Sequence, residues 1–269
     1  MRFKLIYTIA SSGNNTIPLN YQYEFSSWIY RTIHYADPGF ARWLHDEGYT
    51  AGRQHFKFFT FSNLEIPRRA FSIAGDRMRI LSDECSMQIS FLIGEAASPF
   101  IRGLFLNQDF TIGDKISQVR FRVKSVERMP DPLFGNEMTF RALSPVVIGK
   151  SRAPEGGSGK AYLSPEADGY GPLFIQNLAC KVLVSKTRDK ISPAELEACR
   201  FELLGKPKKK GILIKAHTPQ QTKVIGYQFR FRITAPADWL AVGYDAGFGE
   251  ENSEGMGCAG IDDNERREK

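Results

Sequence analysis

The chain is poor in the residues that metal and redox chemistry need. It has four histidines, at 34, 45, 55 and 217, and four cysteines, at 85, 180, 199 and 258. No CxxC, HExxH or HxxxH spacing occurs, and His34 and His45 stand eleven apart with Pro38 between them. A zinc site built from paired Cys and His ligands therefore has no support, and the many Asp and Glu residues form no magnesium motif. The scattered cysteines read as reduced, mostly buried thiols rather than a disulfide framework. No apolar run reaches membrane-spanning length, and the N-terminus carries strand-like alternation where a signal peptide would have an apolar core. These absences lead to the expectation of a cytoplasmic protein without membrane, metal or cofactor.

What the chain does have is basic charge and glycine, each concentrated near the C-terminus. The formal charge is +6, and 42% of the residues are hydrophobic, enough for real cores. Lys206, Lys208, Lys209, Lys210, Lys215, Lys223, Arg230 and Arg232 fall within 27 residues without one acid between them. Such a cluster suits an anionic partner; the plainer reading is a solvated hairpin with a lysine turn. Residues 243–261 then read GYDAGFGEENSEGMGCAGI: G-F-G, a five-residue spacer, G-M-G. Glycine at this density permits positive φ and close backbone approach. The order is helix, glycines, strand, so neither the dinucleotide fingerprint nor the P-loop fits.

Periodicity supplies the architecture. Residues 1–10 alternate Phe3, Leu5, Tyr7 and Ile9 with polar neighbours, as a strand does. Residues 20–36 carry a helical stripe of Phe25, Trp28, Ile29 and Ile33. Asp37-Pro38 ends that helix and caps a second, which stops at Gly48. Strands over 55–64 and 78–92, a helix over 95–106 and a strand over 115–128 complete a β-α-β-β-α-β pattern. Pro130, Pro132 and Gly135 mark a linker over 129–137. Strand 139–148, helix 172–187, strands 201–204, 212–216 and 221–235, helix 236–243 and a strand after the glycines make a second, distorted unit. Residues 150–172 read as an aperiodic loop, and 262–269 as a charged tail. The expected fold is α+β: two tandem ferredoxin-like (RNA-recognition-motif-like) domains, 1–128 and 138–261.

The stretch GYDAGFGEENSEGMG resembles the glycine-rich loop of the RAMP superfamily of CRISPR-associated RNA-binding proteins. The chain is most similar there to the CRISPR-repeat endoribonuclease, the sixth of the Cas series. The stretches MRFKLIYT, IPLNYQYEFSSWIYRTI, WLHDEG and FKFFTFS also resemble that family, so the likeness runs from Met1 to about Ile261. The resemblance implies a metal-independent endoribonuclease that cuts CRISPR precursor RNA within its repeats to mature guide RNA. It implies attack by the 2′-hydroxyl, leaving a 2′,3′-cyclic phosphate and a 5′-hydroxyl. Repeat RNA, as precursor and as mature guide, is the implied partner; a CRISPR effector complex and a homodimer are left open.

Such a reaction needs a group to move protons, a cation for the phosphorane charge, and a hydroxyl to orient or donate. On the first helix Tyr30 and His34 lie off the apolar stripe, and on the second His45 does, so none is committed to the core. A Tyr or His off the stripe is ordinarily a plain surface residue. The resemblance assigns the tyrosine to Tyr30, the histidine to His45 and the lysine to Lys57, with His34 as the alternative histidine. It assigns RNA contact to Gly247, Gly249, Asn252, Ser253, Gly255 and Gly257 of the loop and to the basic residues from Lys206 to Arg232. The spacer EENSE is acidic where relatives often carry Lys or Arg, so backbone N–H groups, Asn252 or Ser253 are the expected contacts. The alternative for the loop is close packing against the other domain. Two competing functions remain: a non-catalytic RNA-binding subunit of an effector complex, and a metabolic enzyme on the same scaffold.

Overall fold

A computed structural model describes residues 1–10, 13–51, 54–151, 160–216 and 218–262. The alternating N-terminal residues form the strand Arg2–Ile9, with Phe3, Leu5, Tyr7 and Ile9 buried. Onto that face packs helix α1 (Gln22–Ala36), whose Phe25, Trp28, Ile29 and Ile33 are all buried. Tyr7 meets Trp28 edge-on at 5.9 Å, and Trp28 stacks on Phe110 at 4.1 Å, the offset and edge geometries aromatic rings prefer. Helix α2 (Pro38–Asp46) starts where Asp37 Oδ1 accepts the Phe40 N–H at 2.9 Å, which satisfies one of the orphan donors of a helix start. Helix α3 (Gly94–Leu106) lies beside α1.

The first sheet is antiparallel and runs Phe59–Phe61, Glu84–Phe91, Arg2–Ile9, Gln118–Arg128, Asp109–Gly113. Leaving out the last edge strand, the order is second, third, first, fourth along the chain. The second sheet runs Arg200–Ile214, Thr222–Thr234, Glu137–Ala142, Ala259–Ile261 and repeats that order. Helix α4 (Tyr170–Val184) covers it together with the short α5 (Pro193–Ala198) and with α6 (Ala237–Ala246). Phe140, Phe174, Phe231 and Trp239 fill that core. The architecture is therefore two tandem ferredoxin-like units, as expected. Arg2, only 2% exposed, ties them together. Its guanidinium lies 3.5 Å over the Tyr244 ring and donates to the carbonyl oxygens of Tyr244 and of Ala259, the latter at 2.6 Å. Among the described residues no helix is long and apolar enough to cross a membrane.

The structure departs from the sequence reading in several places. Residues 201–204 and 212–214 do not flank a lysine turn; they belong to one strand, Arg200–Ile214, which carries Lys206 to Lys210 in its middle, and 215–216 already lie in the turn that follows. Its register shifts between Leu204 and Lys208. It is an edge strand, where Pro207 interrupts no ladder and lysines discourage pairing with another chain. The single strand expected over 55–64 is split. Gln54–Phe56 pairs with Tyr49–Ala51 as a hairpin, and Phe59–Phe61 joins the first sheet. The break falls at Phe58, which has φ 52° and is buried in the second core, whereas Phe59 and Phe61 belong to the first. One chain segment thus serves two cores, and a regular strand cannot do that. Strands were expected over 78–92 and form as Arg77–Ile80 and Glu84–Phe91, whereas the edge strand Asp109–Gly113 and the strands Thr16–Pro18 and Phe71–Ala74, which join Arg77–Ile80 in a small sheet, were not expected. In the loop expected over 150–172, Gly149–Ser151 pairs with Lys160–Tyr162 and 152–159 lie outside the described residues. So do 263–269 of the expected tail.

Candidate active site

Tyr30, His45 and Lys57 come from three different elements and meet at one place. Tyr30 stands on the second half of α1, with its ring edge-on to Phe59 at 5.4 Å and to the His45 imidazole at 5.2 Å. His45 sits in the last turn of α2. Lys57 lies at the break between the split strands, and its ammonium donates to the His45 carbonyl oxygen at 2.7 Å. Gly48, at φ +66°, permits that approach. A Cβ there would stand 2.6 Å from the Phe56 carbonyl oxygen and 2.8 Å from Lys57 Cδ. The turn that ends α2 therefore makes room for the lysine. His34 is exposed one turn beyond Tyr30, and among the described residues no hydrogen bond or ring contact joins it to the other three. His55 is exposed on the 54–56 strand, and its Nδ1 meets the Glu47 carbonyl oxygen at 3.1 Å.

The electrostatics divide the roles. Burial raises the Tyr30 phenol well above its usual pKa, and it is hydrogen-bonded to the Ser253 side chain. At neutral pH it keeps its proton and acts as a donor, not a base. Partial burial lowers the Lys57 ammonium, against the pull of Asp46 and Glu47. His45 Nδ1 lies 2.9 Å from Asp46 Oδ1. An ionised carboxylate only accepts, so Nδ1 carries the hydrogen of this contact, and in the uncharged tautomer that results the lone pair is on Nε2.

The glycine-rich loop reaches this site from the second unit. Lys181, on the buried face of α4 with Phe174, Leu178 and Val182, holds the loop in shape. Its ammonium donates to the carbonyl oxygens of Gly247 and Gly249, at 2.5 and 2.6 Å, and to Asn252 Oδ1 at 2.6 Å. Three donors thus meet three acceptors, although burial pulls this lysine's pKa down to about 7. Sequence reasoning missed Lys181; its signal was a lone lysine on an apolar helical stripe. Asn252 Nδ2 donates to the Phe248 and Met256 carbonyl oxygens, at 3.2 and 3.0 Å. Thr60 Oγ1 of the first unit donates to the same Met256 oxygen at 2.8 Å.

Gly247, Gly249, Gly255, Gly257 and Asn252, expected as RNA contacts, all take part in packing the loop against the rest of the protein, the alternative reading of this segment. The four glycines are buried and the Asn252 amide is spent within the loop. At Gly255, φ +82°, a Cβ would stand 2.5 Å from the Phe61 ring, so this glycine lets the loop lie flat on the first unit. Ser253 is half-buried beside Tyr30. In the basic hairpin Lys206, Lys208, Lys209, Lys210, Lys215 and Lys223 are exposed. Arg230 instead pairs with Asp262 at 2.5 Å, and Arg232 with Glu202 at 3.0 Å. The acids that the local sequence lacks are thus supplied from elsewhere in the chain.

The loop also brings in Glu254, which sequence reasoning did not single out. Its Oε2 is buried without a hydrogen-bond partner. Burial, with the Glu251 charge, raises its pKa to about 7 against the opposing charges of Lys215 and His45. The folded state therefore favours the neutral acid, whereas the unfolded chain ionises near the ordinary value of 4.5. Stability from this group is whole below pH 4.5 and is lost as pH rises through about 7. Glu254→Gln should therefore stabilise the protein by about 3 kcal/mol at pH 8 and by almost nothing at pH 4.5. Urea unfolding of both proteins at the two pH values measures this, and a gain that does not change with pH would refute it.

Similarities to known proteins follow this geometry. Residues 127–261 match the family described as CRISPR associated protein Cas6, C-terminal, and residues 16–127 match CRISPR-associated protein Cas6, N-terminal. The chain is 28% identical over 270 residues to the CRISPR-associated endoribonuclease Cas6 1 of Methanocaldococcus jannaschii, covering 100% of this chain and 96% of that protein. It is 26% identical over 249 residues to the CRISPR-associated endoribonuclease Cas6 of Pyrococcus furiosus, covering 92% and 84%. In fold it is similar to a solved Cas6-related protein from Pyrococcus furiosus, with a TM-score of 0.82 and 24% identity over 98% of this chain and 99% of that one.

Proposed function

The chain belongs to the Cas6 family, which it matches from residue 16 to residue 261, and on that premise we propose that it is an endoribonuclease cutting CRISPR repeat RNA. The observation that carries this reading is the meeting of Tyr30, His45 and Lys57 on one spot. A base, a proton-bearing phenol and an ammonium suffice for transesterification, because RNA brings its own nucleophile. His45 Nε2 takes the proton of the 2′-hydroxyl as its oxygen attacks the adjacent phosphorus. The Tyr30 hydroxyl donates to a phosphate oxygen, and Lys57 faces the charge that builds there. As the bond from phosphorus to the 5′-oxygen breaks, the Lys57 ammonium supplies that oxygen's proton. The products are a 2′,3′-cyclic phosphate and a 5′-hydroxyl, and no step calls for a metal.

The exposed lysines from Lys206 to Lys223 hold the phosphate backbone. Binding therefore weakens steeply as salt rises. Arg230 and Arg232 contribute less because each already has a carboxylate. A transcript is met in the cytoplasm, so the reaction belongs there. The test is incubation of the cognate repeat RNA with the protein in EDTA, followed by end-group analysis. One cut per repeat with a cyclic phosphate is the expected result. Cutting that requires added metal would overturn the mechanism. Tight binding without cutting would replace the enzyme by an RNA-binding subunit.

A further inference from the structure

Beside the trio lies a cavity of about 610 Å³, bordered by Lys57 on one side and Ser253 on another. That volume falls in the range of roughly 300–1,000 Å³ typical of small-molecule sites. Phe56 and Phe58 stand in its wall with their rings parallel, 3° apart in plane and 5.5 Å between centroids. Asn177 of α4 also lines it, and the Asn177 Oδ1 atom is buried without any hydrogen-bond partner. A buried acceptor left unpaired is costly, and a cavity beside it invites a donor from outside.

The charge around the cavity indicates what kind of donor. Glu250 and Glu251 line it, and Lys160 meets both, at 2.9 and 3.3 Å. Lys57 and Lys160 against Glu250 and Glu251 leave the lining without net charge, and Lys160 is already held by both carboxylates. With no free cation excess to hold a phosphate, the cavity suits an uncharged planar ring. We infer that this cavity receives one nucleobase of the RNA, from a nucleotide flanking the scissile phosphate, with its face on Phe56 and an N–H of its edge on Asn177 Oδ1. The inference rests on the RNA-cleavage reading above only for the identity of the ligand. Seating one base beside Lys57 fixes which phosphate lies over His45, so the cavity selects the bond that is cut.

The test uses repeat RNA carrying a 2′-deoxy nucleotide at the cut, which binds but cannot react. Each position within two nucleotides of the cut is replaced in turn by an abasic residue. At one position the wild-type protein should lose about tenfold in affinity, in keeping with single-base stacking. Asn177→Leu and, separately, Phe56→Leu should bind intact RNA about tenfold more weakly and be nearly indifferent to the abasic change at that position. Abasic effects that are the same in wild type and both variants would overturn the inference, whatever the fate of the cleavage reading. If the coupling is present but unmodified RNA is never cut, the cavity stands and the enzyme reading falls. If unmodified RNA is cut and no coupling appears, the reverse holds. Two variants guard against a single substitution that unfolds the chain.

Discussion

His45→Ala should cut repeat RNA roughly 100- to 10,000-fold more slowly than wild type at neutral pH, the usual contribution of a positioned proton-transfer group. Affinity for uncleaved RNA should stay within about twofold, because the imidazole meets the 2′-hydroxyl while the exposed lysines hold the phosphates. Single-turnover cleavage at saturating enzyme separates the two quantities. The size of the loss follows from geometry. Among the described histidines, His45 alone touches both partners of the trio, through the Tyr30 ring and through its own carbonyl oxygen to Lys57. His34 shares a helix face with Tyr30 but has no such contacts. Normal cutting by His45→Ala would transfer the base role to His34, and the converse substitution, His34→Ala, would then be the inactive one.

Lys181→Met should cost about 3 kcal/mol of stability and should also cripple cleavage. Methionine keeps most of the lysine's length and apolar stem, so packing on α4 changes little. What disappears is the ammonium, and three buried oxygens, on Gly247, Gly249 and Asn252, lose their donor together. The loop they shape carries Ser253 to the Tyr30 hydroxyl, so loosening it removes the group that orients the phenol. Chemical denaturation gives the first effect, and hydrogen exchange across residues 247–257 shows whether the loss is local. A variant as stable as wild type, with the loop amides as protected, would show that the lysine is dispensable.

The two β-α-β-β-α-β units were legible because their strands alternate and their helices carry stripes, as in Phe25, Trp28, Ile29 and Ile33. Placing Tyr30, His45 and Lys57 together was legible only through family resemblance. Helical spacing alone marks Tyr30 and His45 as off-core and gives no reason for them to meet. The misreadings have one cause, the dependence of local structure on distant neighbours. Phe58 breaks its strand because its ring belongs to the second core. Lys206 to Lys210 look like a turn by composition, yet pairing with Thr222–Thr234 draws them into a long edge strand. The glycines of the loop looked like ligand-binding positions. Phe61, Thr60 and Lys181 pack or bond against that loop, which gives the glycines a structural reason, and none of the three is near them in sequence.

The buried Arg2 has a further consequence, for the order of assembly. Its bond to the Ala259 carbonyl oxygen spans 257 positions of chain. On the ribosome the first unit is made early and can fold as it emerges. The seam between the units closes only after residue 259 has left the exit tunnel, and the loop that completes the cutting site lies just before that residue. While residues 58–252 are being made, a nascent chain carries Tyr30, His45 and Lys57 without Ser253 beside the phenol. On the proposed reading of the site, its two halves are thus made at different times and meet only when the second unit docks on the first.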